Sequence, residues 1–189
     1  MVGVLVVVAG GCGTPVGGPA GGTSANVTTT PDSRPLDDPS AWNSPPVDDP
    51  SARATRIAEF SRRRAPEAFA GTALNKAGPA ILVYRKPGSG LDQAVTTIFA
   101  GVPVEFVDAV RSEVELRAVL DQVLGAAKEW SEQGVRVRSA SMDFVHGRVE
   151  VMSPDGDRAV DLLKRRYGDV VEVVDGDVVP PTMPGTSRR

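Results

Sequence analysis

Apolar positions between Ser112 and Asp175 recur first at helical spacing and then at strand spacing. Leu116, Leu120, Val123, Ala127 and Trp130 follow the helical period, with Val119 and Leu124 beside them. Ser112 and Glu115 stand ahead of them as a capping box, and Gly134 is the expected stop. One long amphipathic helix is predicted there. Val135 to Met142 then alternates, Val135 and Val137 facing one way and Arg136 and Arg138 the other, with Ser139 and Ser141 continuing the apolar face. His146-Gly147 is the expected turn, and Arg148 to Met152 alternates again through Val149 and Val151. Asp155 is the expected cap of a second helix, lined by Ala159, Leu162, Leu163 and Tyr167 and ended by Gly168. Val170, Val171, Val173 and Val174 supply a last strand.

The stretch from Ser51 to Asp108 carries the same order in a weaker form. Ser51 is the expected N-cap of a helix to Arg63, with Ala54, Ile57, Ala58 and Phe60 mostly on one side, and Pro66 ends it. Arg62-Arg63-Arg64 falls in the last turn, where cations suit the helix dipole. Phe69 to Asn75 and Ala80 to Arg85 read as strands joined by the turn Asn75-Lys76-Ala77-Gly78. The continuous run Ile81-Leu82-Val83-Tyr84 predicts a central strand. Ser89, with Asp92 three residues on, is the expected start of a short helix buried through Leu91, Val95 and Ile98. Gly101 closes it, and Val102 to Val107 returns as a strand that Pro103 assigns to an edge or a strand start.

Laid over one another, the halves at about 51–108 and 112–175 match Glu105-Phe106-Val107-Asp108 with Glu172-Val173-Val174-Asp175, and Pro87 with Pro154. The predicted fold class is therefore α+β. It comprises two tandem helix-strand-strand-helix-strand units, each an antiparallel-rich sheet with helices packed on one face. The expected domain spans 51–177.

The chain before it has a different texture. Met1 to Ala9 is an apolar run, too short to span a bilayer as a helix, and it ends at Gly10-Gly11-Cys12. Cys12 is the only cysteine, which excludes an internal disulfide. The stretch Val8-Ala9-Gly10-Gly11-Cys12 resembles a bacterial lipoprotein signal, a small apolar patch ending in Cys. Export signals carry a positive segment before the apolar run. None stands here, and a start site further upstream would supply it. The resemblance implies that residues 1–12 are a signal segment, that the Cys12 thiol carries diacylglycerol, and that the protein lies on the extracytoplasmic face of the cell membrane. Residues 13–50 are rich in Gly, Pro, Ser, Thr and Asp and read as a disordered spacer. Leu36-Asp37-Asp38-Pro39-Ser40-Ala41 is echoed by Val47-Asp48-Asp49-Pro50-Ser51-Ala52, which reads as linker composition. Trp42 is an isolated aromatic placed to dock onto the domain. Residues 178–189, Pro-rich and ending in Arg188-Arg189, read as a loose tail.

Charge and candidate chemistry narrow the functional classes. The 189 residues carry a net charge of −3 with both signs interspersed, and aromatics make up 5%. Neither a basic face nor a stacking platform for nucleic acid is expected. One cysteine and one histidine, His146, do not make a Cys/His zinc site. Gly88-Ser89-Gly90 lacks the Lys and spacing of a P-loop. His146 is the one candidate base for a Ser-His-Asp arrangement, and its place at a hairpin tip reads as a turn residue. Carboxylates are scattered on polar faces, and Asp143 and Arg148 are placed to pair across the hairpin.

The hairpin Ser139-Ala140-Ser141-Met142-Asp143-Phe144-Val145-His146-Gly147-Arg148-Val149-Glu150-Val151 is followed by Leu162-Leu163, Tyr167-Gly168 and Val170-Val171-Glu172-Val173. This stretch resembles the C-terminal part of the pro-regions of alpha-lytic-protease-like secreted bacterial proteases. That resemblance implies an inhibitor or folding helper of a secreted protease, acting in trans. The leading expectation is a non-enzymatic binding module of the cell envelope with a protein partner. No catalytic residue, metal or cofactor is expected.

Overall fold

The computed structural model describes residues 34–43 and 49–176. The chain divides into Met1–Pro35 and Leu36–Arg189, and nearly all described residues belong to the second unit. Cys12, spacer residues 13–33 and 44–48, and the tail from Val178 lie outside the described residues.

The second unit is α+β and runs through one order twice. The first pass is α1 (Pro39–Asn43), α2 (Pro50–Arg64), β1 (Phe69–Leu74), β2 (Ile81–Arg85), α3 (Leu91–Ile98) and β3 (Val104–Asp108). The second is α4 (Glu113–Gly125), α5 (Ala127–Glu132), β4 (Ser139–Asp143), β5 (Arg148–Ser153), α6 (Gly156–Tyr167) and β6 (Val171–Asp175). Each pass builds its own three-stranded sheet, ordered β1-β2-β3 and β4-β5-β6. Both sheets are mixed. The first two strands form an antiparallel hairpin, and the third is parallel to the second. The reason is connectivity: a tight turn reverses the chain, whereas a crossover helix brings it back to the same end. β2 is central and β3 an edge, as the apolar run and Pro103 predict.

Each sheet buries one face under its helices. In the first half Ile57, Phe60, Phe69, Ile81, Val83, Leu91 and Val95 form one core. In the second half Leu116, Val123, Trp130, Val149, Val151, Ala159 and Leu163 form another. A third, smaller cluster joins Ala70, Tyr84 and Ala109 to Phe144 and Val145. It lies on the face of the first sheet opposite the core of Ile81 and Val83 and takes in the tip of the β4–β5 hairpin.

Several local expectations are corrected. The folded unit starts before Ser51: Trp42 is fully buried, at 0% exposure, in the first core, with Leu36 and Ala41 against it. The echoed Asp-Pro-Ser-Ala is a helix start used twice. Asp49, not Ser51, caps α2 by accepting from the amides of Ser51 and Ala52, with Pro50 in the first turn. Asp38 does the same for α1, accepting from the amide and hydroxyl of Ser40. The helix predicted at Ser89 begins at Leu91 behind Gly90, whose φ of 71° is left-handed, and Asp92 turns away to Arg85.

The capping box of α4 is present as expected, with Ser112 and Glu115 bonded both ways. The long helix it opens breaks at Ala126, however, leaving Ala127 exposed and Leu120 half-buried. Val135 and Val137 precede the second sheet instead of forming its first strand. Val135 donates to the Trp130 carbonyl and closes α5, and the ladder starts only at Ser139 opposite Met152. Ser139 and Ser141 are exposed, and Ala140 and Met142 face the core. Alternation fixes a face only within one ladder, so the phase carried over from Val135 is lost. Asp155 stands at the N-cap of α6 but makes no cap bond, because its carboxylate takes the Arg136 amide and guanidinium.

Candidate functional site

The β4–β5 turn is where the two halves meet, and it brings the chain's only histidine against the Asp143 carboxylate. Asp143 ends β4 and is only 15% exposed. One of its oxygens accepts from the amides of Val145 and His146, each at 3.1 Å, so the side chain itself shapes the turn. Its other oxygen lies 2.5 Å from His146 Nδ1 and 3.4 Å from Arg148 Nε. Gly147 follows with φ 67°, the left-handed conformation that lets the chain enter β5. Arg148 then reaches Glu172 on β6 at 2.6 Å, with Glu150 at 4.0 Å. The expected Asp143–Arg148 pair is thus one edge of a cluster with three carboxylates.

Burial alone would raise the Asp143 pKa. The hydrogen bonds from His146 and the charges of His146 and Arg148 outweigh it and hold that carboxyl below its ordinary value. Tyr84, on β2 of the other half, is pushed up by burial, with the Asp143 charge adding to the shift.

Across the seam the tip packs tightly. The Phe144 ring meets Tyr84 edge-on at 5.2 Å. A Cβ built on Gly71 would fall 2.6 Å from Phe144 Cγ, so only glycine lets the ring approach this close to β1. Arg111 donates to the Gly147 carbonyl at 2.7 Å. Two ion pairs flank the seam, Arg62 with Glu113 at 2.6 Å and Lys86 with Glu115 at 2.8 Å. Arg62 therefore does more than complement the α2 dipole, since it ties α2 to α4.

His146 is 63% exposed, as its tip position predicts. It is not remote from structure, because its Asp143 partner organises the turn. Among the described residues no hydroxyl bonds its other nitrogen, and a His–Asp pair alone lacks the nucleophile of a Ser-His-Asp arrangement. No group of three or more His, Cys, Asp or Glu side chains among the described residues is placed to hold a metal ion.

The sequence marked Asp143, His146 and Arg148 and missed Gly71, Tyr84 and Phe144. Gly71 lies within a strand pattern, where an isolated glycine signals close approach, and that was the available clue. Cys12, the predicted lipid site, lies outside the described residues. No protein-family model matches this chain, and no curated protein matches it either.

Proposed function

We propose that this protein is a lipid-anchored, non-enzymatic binding module on the extracytoplasmic face of a bacterial cell membrane, tethered through Cys12. The observation that carries this reading is the place of the single cysteine. It closes the apolar run Met1 to Ala9 and opens a Gly-rich tract leading to the unit that begins at Leu36. A signal of this layout is processed at the cysteine, and one diacylglycerol plus further acylation holds a protein at a bilayer. No described helix is long and apolar enough to cross a membrane. What supports binding over chemistry is that the polar side chains of the β4–β5 turn, Asp143, His146, Arg148 and Glu172, are engaged with one another.

Detergent phase partitioning of the protein expressed in a bacterium with lipoprotein processing tests the tether. The wild-type protein is expected in the detergent phase and Cys12→Ser in the aqueous phase. Equal partitioning of the two sinks the lipid anchor. Recovery of one secreted protease on the immobilised protein would turn the binding role towards the inhibitor or folding helper that the hairpin resemblance implies.

A further inference from the structure

The first half carries a groove that is already filled by a piece of its own chain. α1 is a five-residue helix, too short to hold its shape in water without tertiary contacts. Its anchor is Trp42, whose indole is fully buried against Phe60 at 5.3 Å and Phe99 at 6.4 Å, both edge-on. Phe60 and Phe99 also meet each other at 5.6 Å, so the aromatic wall is built by α2 and the end of α3. Polar ties of the strap to this wall each pair a side chain with a backbone carbonyl. Arg56 donates to the Trp42 carbonyl at 2.9 Å, and Asn43 donates to the Ile98 carbonyl at 2.5 Å.

Charge and shape describe what the groove takes. Its rim is basic: Arg56 holds the Trp42 carbonyl, the Arg63 guanidinium lies over the indole at 5.4 Å, and Arg64 borders the recess beside them. The strap is acidic at its start, through Asp37 and Asp38. Beside it a surface recess of about 350 Å³ remains open, bounded by Asp37 on the strap and by Phe60, Arg64, Gln93 and Thr97 on the groove.

We propose that this groove is a binding site for a short acidic peptide carrying one tryptophan, and that Leu36–Asn43 is its resident, releasable occupant. A partner segment of that chemistry binds by displacing the strap, with its indole between Phe60 and Phe99 and its acidic residues along Arg63 and Arg64. The bound helix starts on an Asp-Pro cap, as the resident one does. This gives the binding role proposed above a site and rests on that reading. The two fail separately, because binding by purified protein does not depend on the lipid.

The test uses a fluorescently labelled peptide of sequence Leu36–Asn43 as probe. Anisotropy titration of full-length Trp42→Ala, whose strap has lost its anchor, is expected to show saturable binding at least tenfold tighter than titration of the wild-type protein. The same peptide with its tryptophan replaced by alanine is expected not to bind. Absence of saturable binding to a folded Trp42→Ala protein overturns the proposal, and so does equal affinity for variant and wild type. Hydrogen exchange on the wild-type protein gives a readout that needs no variant. Amides 41–43 are expected to exchange at least tenfold faster than that of Val83, through opening of the strap alone. Exchange of both at one common rate means that α1 leaves only when the domain unfolds, which also overturns the proposal.

Discussion

Gly71 and Phe144 lie 73 residues apart in sequence number and depend on each other at the seam. Gly71→Ala places a methyl group where the ring now sits, and overpacking of this kind costs about 1–3 kcal/mol. Phe144→Ala removes the ring and relieves the clash, so the double variant is expected to be more stable than the sum of the two single losses predicts. Chemical denaturation of all four proteins measures that coupling; strict additivity would mean the ring does not rest on Gly71. Asp143 makes a pH-dependent contribution. Its folded pKa is depressed, so the stabilisation is fully present above the ordinary carboxyl value of about 4 and is lost as pH falls through the folded value. Asp92, held down chiefly by the Arg85 guanidinium, adds in the same direction. Asp143→Asn is expected to lower stability by about 1–2 kcal/mol at neutral pH and to flatten the acid limb of the melting-temperature profile. An acid limb as steep as that of the wild type would assign the effect to other carboxylates.

At the scale of elements, the joint between α4 and α5 and the cap of α2 make opposite predictions. Gly125 ends α4, is exposed, and has open space where a Cβ would stand. Its φ is not left-handed, so no strain opposes a side chain there. Gly125→Ala is expected to stabilise the protein by about 0.5–1 kcal/mol by restricting the unfolded chain. Asp49→Ala removes the oxygens that satisfy two amides at the start of α2 and is expected to cost about 0.5–2 kcal/mol. Thermal melts of the pair should move to either side of the wild type. A neutral Asp49→Ala would return the start of α2 to Ser51. Helix caps of this kind were legible in the sequence at Ser112 and overlooked at Asp38 and Asp49. There the Asp-Pro-Ser order sits in a tract whose overall composition reads as linker.

At the scale of the molecule, each half owns a core and each core owns one tryptophan, Trp42 in the first and Trp130 in the second. The two are coupled by the small cluster around Tyr84 and Phe144, by Arg111, and by the ion pairs Arg62–Glu113 and Lys86–Glu115. Unfolding followed with Trp42 alone (in Trp130→Phe) and with Trp130 alone (in Trp42→Phe) is expected to give coincident transitions. Adding Phe144→Ala to each is expected to separate the midpoints, because the seam loses the ring that meets Tyr84 and rests on Gly71. Coincident midpoints in that background would show that the ion pairs and Arg111 suffice to keep the halves cooperative.

What the sequence determined by itself was local and periodic. The order helix, strand, strand, helix, strand appears in both halves because burying one face of each element requires a spacing that can be read along the chain. The capping box at Ser112, the central strand at Ile81 and the hairpin turn at His146-Gly147 needed only neighbours within a few residues. Tertiary structure decided what depends on distant partners. Asp92 and Asp155 face helix starts, yet their carboxylates went to Arg85 and Arg136, since a guanidinium binds a carboxylate more strongly than one backbone amide does. The inward face of β4 was set by its pairing with β5, which starts only at Ser139 and so reverses the phase of Val135. Trp42, isolated in a polar tract, found its place only once α2 and α3 had brought Phe60 and Phe99 together. The seam is likewise a tertiary product, because Gly71, Tyr84 and Phe144 carry no shared pattern until the two sheets exist.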